Sequence, residues 1–437
     1  MQFCSTRDAG LRADFSTALR QGLAADGGLY VPLEWPRQAV RGLNPADPLP
    51  VLAAQFLASF AAGDRLAPEM PAIAAEAFNF PAPLLPLDGD RLGVLELFHG
   101  PTAAFKDFGA RFLAAALTRL RRGAERPLTI LVATSGDTGG AVAAAFHRQP
   151  GIDVVVLFPK GQVSPTQQQQ LTCWGDNVRS LAVRGSFDDC QRLVKQAFLD
   201  PELQRRWELS SANSINLGRL LPQAVYYVAT SLGLQARTGQ RVSFVIPSGN
   251  LGNATACVWA RRLGAPIEQI VLAHNANRTV PDYLREGVLR VRPSVATLAS
   301  AMDVGNPSNL ERLTALFPDA AALGEALSAV SVDDNAIRAR IHADFERYGA
   351  IWCPHTAVAA AAWNEFDAAR RALGPWVLVA TAHPAKFREI VEPLIGQPVP
   401  VPATLERLFR RPSSFTAIDA TPAALRAALA GAASAAG

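Results

Sequence analysis

From about residue 90 onward the chain alternates short β-rich apolar runs with helical stretches, and no other feature limits the fold as much. Leu92–Leu97, Thr129–Thr134, Asp153–Phe158, Val178–Val183, Val242–Ile246, Ile270–His274 and Trp376–Thr381 read as strands. Between them Phe105–Leu120, Gly139–His147, Pro165–Thr172, Phe187–Leu199, Arg219–Leu234 and Ala254–Leu263 read as helices, with a further one from Ala385. Continuously apolar strands separated by helices predict an α/β fold, with parallel or mixed sheets covered by helices. Ligands bind such sheets at the carboxyl ends of the strands, so the chemistry is expected in the loops that follow them.

The flanks differ from this pattern. Residues 1–85 read as a mostly helical amino-terminal domain, with Val51 to Ala61 apolar at helical spacing and Pro68, Pro71, Pro81, Pro83 and Pro86 marking a connection into a new unit. Residues 86–400 then form the α/β region, in two subdomains. Residues 401–437 read as a helical tail: one more helix and a frayed end from Ala433 to Gly437, with no chemistry.

Several function classes are excluded. Forty-two Lys and Arg against 38 Asp and Glu leave +4 over 437 residues, which argues for no nucleic-acid and no membrane partner. Leu220 to Ala236 carries no charge, but it is short for a span and holds Pro222, Gln223, Thr230, Ser231 and Gln235, so it reads as a buried helix. The beginning is polar and mixed in charge, unlike a signal peptide. Five widely spaced cysteines without a CxxC pair fit reduced thiols in the cytoplasm. No HExxH or GxSxG occurs, and the six histidines have no metal-ligand spacing, so no metal is expected. His147 reads as a surface residue, whereas His274 and His383, at or beside strand ends, are candidates to line a cleft.

Three segments carry candidate chemistry. Ser248-Gly249-Asn250-Leu251-Gly252-Asn253 runs from a strand into a helix. Its glycines let backbone amides converge where the helix dipole is positive, which suits a phosphate; it is equally readable as a plain strand–helix turn. Ser135-Gly136-Asp137-Thr138-Gly139 repeats the strand–turn–helix pattern, with Asp or Thr as an ordinary N-cap the simpler reading. Lys106 lies between Phe105 and Phe108 beside alanines, where an apolar wall lowers an amine's pKa and suits imine chemistry, unless the side chain snorkels to solvent. An imine-forming lysine, a phosphate-cradling turn and polar βα turns on one sheet together match the needs of pyridoxal phosphate.

The chain resembles the threonine synthases, within the fold-type II family of pyridoxal-phosphate enzymes. The resemblance rests on Ser5-Thr6-Arg7, Ala25-Asp26-Gly27-Gly28-Leu29-Tyr30-Val31-Pro32, His99-Gly100-Pro101-Thr102 with Phe105-Lys106-Asp107, and Ala133 to Gly139. Phe158-Pro159-Lys160-Gly161, Ser211-Ala212-Asn213-Ser214-Ile215-Asn216, Ser248 to Asn253 and Thr381 to Phe387 complete it. It implies conversion of O-phospho-L-homoserine and water to L-threonine and phosphate, by a cytoplasmic monomer or homodimer. By position, it makes Lys106 the Schiff-base lysine and general acid/base, and makes Ser248, Gly249, Asn250, Leu251, Gly252 and Asn253 the cradle for the cofactor phosphate. Asp137 falls near the cofactor ring and Thr381 faces the pyridine nitrogen. The substrate's own phosphate requires a second anion site, for which Ser135, Thr138, Lys160, Asn213, Ser214, Asn216 and Arg219 are the candidates. A threonine dehydratase on the same fold and a relative that only binds ligand remain alternatives at this point.

Overall fold

The computed structural model describes residues 1–430, so the expected frayed end from Ala433 lies outside the described residues. The opening segment contains the expected helix, Leu49–Ala58, and adds three short strands. These are β1 (Gln2–Ser5), β2 (Arg12–Asp14) and β3 (Tyr30–Pro32), an antiparallel sheet in the order β2-β1-β3.

Two larger sheets follow. Their strands are β4 (Leu84–Asp88), β5 (Leu92–Glu96), β6 (Leu128–Ala133), β7 (Ile152–Pro159), β8 (Val178–Arg184), β9 (Glu208–Ser211), β10 (Val242–Pro247), β11 (Ile267–His274), β12 (Ser328–Ser331), β13 (Trp376–Ala380) and β14 (Thr416–Asp419). One sheet runs β12-β11-β10-β13-β5-β4 and is parallel except for the β4 edge. The other runs β14-β8-β7-β6-β9 and is wholly parallel. β6, β10 and β13 are buried at every residue, which explains why they are apolar apart from Thr129 and Ser243 instead of alternating. Helices on both faces bury them.

Two expectations about the elements change. The stretch expected as one helix from Arg219 to Leu234 is a short helix Leu217–Leu220, a 3₁₀ turn at Leu221–Gln223 and a helix Ala224–Thr238. Pro222 lacks the amide that a continuous helix would need. The tail is not purely helical. After the helix Ala403–Phe409, β14 adds to the edge of β8 before the final helix Pro422–Ala430, and Leu425 and Leu429 bury against that sheet. No helix among the described residues is long and apolar enough to cross a membrane. All five cysteines are buried and unpaired.

Candidate active site

A cavity of about 610 Å³ opens where the carboxyl ends of the two larger sheets face each other. Its walls come from the turns after β5, β6, β9, β10 and β13, as a parallel sheet requires. Segments 291–294 and 301–306, which carry no motif, close one side.

Lys106 is the first residue of the helix Lys106–Leu120, directly after the turn that follows β5. That turn is locked locally: the Asp107 carboxylate accepts from the Thr102 amide at 2.8 Å and from the Thr102 hydroxyl at 2.6 Å. It is also locked to β13, since the Phe105 amide donates to the Thr381 carbonyl at 2.9 Å. Gly109, one turn further on, lets this helix lie against the Arg219 backbone, because a Cβ there would collide with the Arg219 carbonyl. The lysine is half-buried, its amine lying 5.5 Å from the centroid of the Phe105 ring. Burial lowers its pKa to about 8; Asp137 opposes that shift, while the cations Lys386 and Arg219 add to it. The amine therefore gives up its proton closer to neutrality than a solvated lysine does.

Asp137 does not cap its helix. Gly136 takes the N-cap position of Asp137–Phe146, and the Asp137 carboxylate instead meets the Lys386 ammonium at 2.7 Å. Burial acts to raise the Asp137 carboxyl, but Lys386, Lys106 and His355 outweigh it and hold it at about 2. The turn itself is organised by Thr134, whose hydroxyl accepts from the amides of Gly136 and Gly139, both at 2.9 Å. Ser135 and Thr138 face the cavity beside it.

The turn after β10 has the form expected of an anion cradle. Leu251 adopts a left-handed φ of 63° at the N-cap of the helix Gly252–Arg262 and offers no side-chain cap; within the first turn only the Ala254 amide meets a side chain, donating to Asn253 Oδ1 at 3.0 Å. The Asn253 side chain turns back, accepting from Ser248 Oγ at 2.7 Å and donating to the Pro247 carbonyl at 3.0 Å, so it shapes the loop. Gly249 passes so close to Met302 that a Cβ would lie 2.7 Å from the Met302 Cα. Asn250 Nδ2 donates to Ser214 Oγ at 2.6 Å, tying the cradle to the segment after β9.

Most of the sequence candidates converge. Lys106, Ser135, Asp137, Thr138, Asn213, Ser214, Arg219, Thr381 and the whole of Ser248–Asn253 line the cavity. Arg219 is buried there; it donates to the Ala212 carbonyl and its Nε has no partner among the described residues. Burial lowers its pKa to about 10, which leaves it a cation. Two candidates do not converge. Lys160 is exposed in the turn after β7, outside the cavity. Asn216 is fully buried behind the wall, where it donates to the carbonyls of Leu19 and Ser211 and caps the helix Leu217–Leu220. Neither His274 nor His383 lines the cavity, but His355 does. Lys386, quoted in the last motif without a role, is the other residue missed. A lysine in a proline-led turn straight after a buried strand was the available signal.

These residues suit pyridoxal phosphate: an amine of lowered pKa, an uncapped helix start and a strand-end hydroxyl share one enclosed site. The comparisons agree. Residues 76–382 match the family model described as pyridoxal-phosphate dependent enzyme, residues 2–78 that of the threonine synthase N terminus, and residues 356–429 that of the threonine synthase C-terminal region. The threonine synthase of Haemophilus influenzae is 41% identical over 421 residues, covering 95% of this chain and 96% of that protein. This chain belongs to the threonine synthase family. The crystal structure of threonine synthase from Escherichia coli superposes with a TM-score of 0.89 at 36% identity, covering 99% of this chain and 100% of that one. Pyridoxal-phosphate-bound threonine synthase from Brucella melitensis gives 0.88 at 36% identity, covering 97% of each. The protein is thus a pyridoxal-phosphate-dependent lyase of threonine biosynthesis acting on a small-molecule substrate.

Proposed function

We propose that the chain converts O-phospho-L-homoserine and water to L-threonine and phosphate, with Lys106 as the residue that bonds the cofactor and moves protons. The observation that carries this reading is the pair of separate anion-binding features in one cavity, the Ser248–Asn253 turn and buried Arg219. A dehydratase acting on free threonine has one phosphate to bind, that of its cofactor; a phosphorylated substrate brings a second.

The cofactor, when bound, draws electrons from the substrate's Cα and Cβ. The Ser248–Asn253 turn would hold its phosphate through backbone amides at a helix start, and Thr381 would meet its pyridine nitrogen with a hydroxyl, which leaves that nitrogen unprotonated. Arg219, with Ser135, Thr138, Asn213 and Ser214, would bind the substrate phosphate through charge-assisted hydrogen bonds. Lys106, its amine near neutrality, would take the protons from Cα and Cβ and return protons at Cγ and, last, at Cα. Phosphate departs from Cγ, and water adds at Cβ to give the threonine hydroxyl. We keep the reading of a cytoplasmic monomer or homodimer without nucleic-acid or membrane partners. The division into 1–85, 86–400 and 401–437 is kept as well, with β14 packed on the catalytic region.

Release of inorganic phosphate from O-phospho-L-homoserine, with stoichiometric threonine, tests the reading. Lys106→Ala should abolish both, although cofactor can remain weakly held through its phosphate. Near wild-type turnover in Lys106→Ala, or turnover of threonine in place of phosphohomoserine, would overturn it.

A further inference from the structure

Lys386 is fully buried, and its ammonium touches two of the turns that build the site. It lies 2.7 Å from Asp137 Oδ1 in the turn after β6, and donates to the Thr102 carbonyl at 2.9 Å in the turn after β5. It belongs itself to the 3₁₀ turn Pro384–Phe387, five residues beyond Thr381 at the end of β13. One side chain thus joins strand-end turns from both large sheets, directly around Lys106. Gln170 Nε2 reinforces the same point by donating to the Thr102 carbonyl at 3.2 Å.

The charges facing Lys106 are few. Asp137 approaches from the turn after β6, Lys386 from the turn after β13 and Arg219 from the helix after β9. His355, at the start of the helix Pro354–Asn364, is held neutral by burial, its pKa lowered to about 4. Asp137 is the one anion among them, and Lys386 decides where that anion sits.

We infer that Lys386 is a positioning residue of the reaction: it pins the Asp137 carboxylate in an ion pair beside Lys106, and so prevents that carboxylate from pairing with the catalytic amine. The inference rests on Lys106 being the reactive lysine. Without Lys386, the Asp137 carboxylate loses its partner, and the nearest cation to stabilise is Lys106 itself. An ammonium at Lys106 held by a carboxylate neither bonds the cofactor nor accepts a proton near neutrality.

The test uses the full-length, cofactor-free chain. Acetylation of Lys106 by acetic anhydride, followed residue by residue with mass spectrometry, reports the pH at which the amine is free. Lys386→Met should raise that midpoint by about one to two pH units, the range for a neighbouring carboxylate left unopposed. Asp137→Asn alone should lower it, and Lys386→Met with Asp137→Asn should bring it back toward wild type. Should Lys386→Met fail to fold, the double variant carries no unpaired buried charge, and Asp137→Asn still gives the opposite shift. The affinity for pyridoxal phosphate, measured by absorbance at pH 7, should fall for Lys386→Met and recover as pH is raised. Lowered stability with an unmoved Lys106 midpoint in all three variants would overturn the inference and leave Lys386 a structural clamp. That result is separable from failure of the functional reading, which needs Lys106→Ala to retain turnover.

Discussion

Arg312 donates from Nε to the Tyr30 carbonyl at 3.1 Å, and through this contact the amino-terminal sheet reaches the active site. The same fully buried guanidinium donates to Asn309 Oδ1 and to the Ile215 carbonyl, both at 2.6 Å. Asn309 in turn donates to the Asn250 carbonyl at 3.0 Å and to the Ser214 carbonyl at 3.3 Å. Arg312 therefore holds three segments in register: β3, the Ser211–Asn216 stretch and the cradle. A planar fork with several donors can do this, and a lysine cannot.

Arg312→Ala should cost more than about 3 kcal/mol in urea unfolding, since it leaves three buried acceptors unpaired and opens a void. Arg312→Lys should recover less than half of that loss. Full recovery by lysine would mean that the charge matters and the fork does not.

Arg219→Ala should raise KM for phosphohomoserine and reduce kcat, while the visible absorbance of bound cofactor persists. Lys160→Ala, outside the cavity, should leave both constants within about twofold, as surface changes away from a site usually do. If the two variants exchange these behaviours, the second anion site has been assigned to the wrong cation.

Thr381→Asp places a carboxylate where a hydroxyl stands. It should lower threonine output and increase side products of transamination type, because a protonated pyridine is a stronger electron sink. Product ratios by chromatography check this, and an unchanged ratio with an unchanged rate would count against the contact.

Acid should unfold the protein through its histidines. His274, His355 and His383 are each pushed down to about 4, chiefly by burial. The unfolded chain takes up these protons near 6.5 and the folded chain resists until about 4. Stability from this source is complete above 6.5 and is lost progressively down to 4, by about 1.4 kcal/mol per histidine per pH unit. Calorimetric Tm should fall from pH 6.5 to pH 5, and His274→Asn should flatten the slope. A constant Tm over that range would contradict the assignment of three neutral rings, His274 and His355 buried and His383 half-buried.

The strands around the cavity were readable because they are buried on both faces. Val242–Ile246 and Trp376–Thr381 are apolar apart from Ser243 and the terminal Thr381, and the polar turns after such runs are where ligands bind. β1, β2 and β3 escaped because three or four residues leave no period to detect, and Arg12–Asp14 is mostly polar. β14, Thr416–Asp419, is an edge strand with one buried residue, so its sequence resembles a loop. Among side chains, Lys106, Arg219 and the cradle stood beside local signals. Lys386 and Arg312 act through partners far away in sequence; the proline-led turn after a buried strand is the one local mark of Lys386, and Arg312 has none. Asn216 misled for the opposite reason: it sits in the right motif but turns its amide toward Leu19 and Ser211.

The bond between the Phe105 amide and the Thr381 carbonyl also sets an order of events in the cell. β5 pairs with β13, so Lys106 leaves the ribosome long before the strand that completes its surroundings has been made. At roughly 5–20 residues per second, that interval lasts on the order of tens of seconds. Through all of it one edge of β5 stays open, and the edge of β8 stays open until β14 is synthesised, later still along the chain. A nascent chain therefore carries bare strand edges for that interval, and a message truncated ahead of β13 yields a polypeptide that has Lys106 but lacks the strand and turn that surround it.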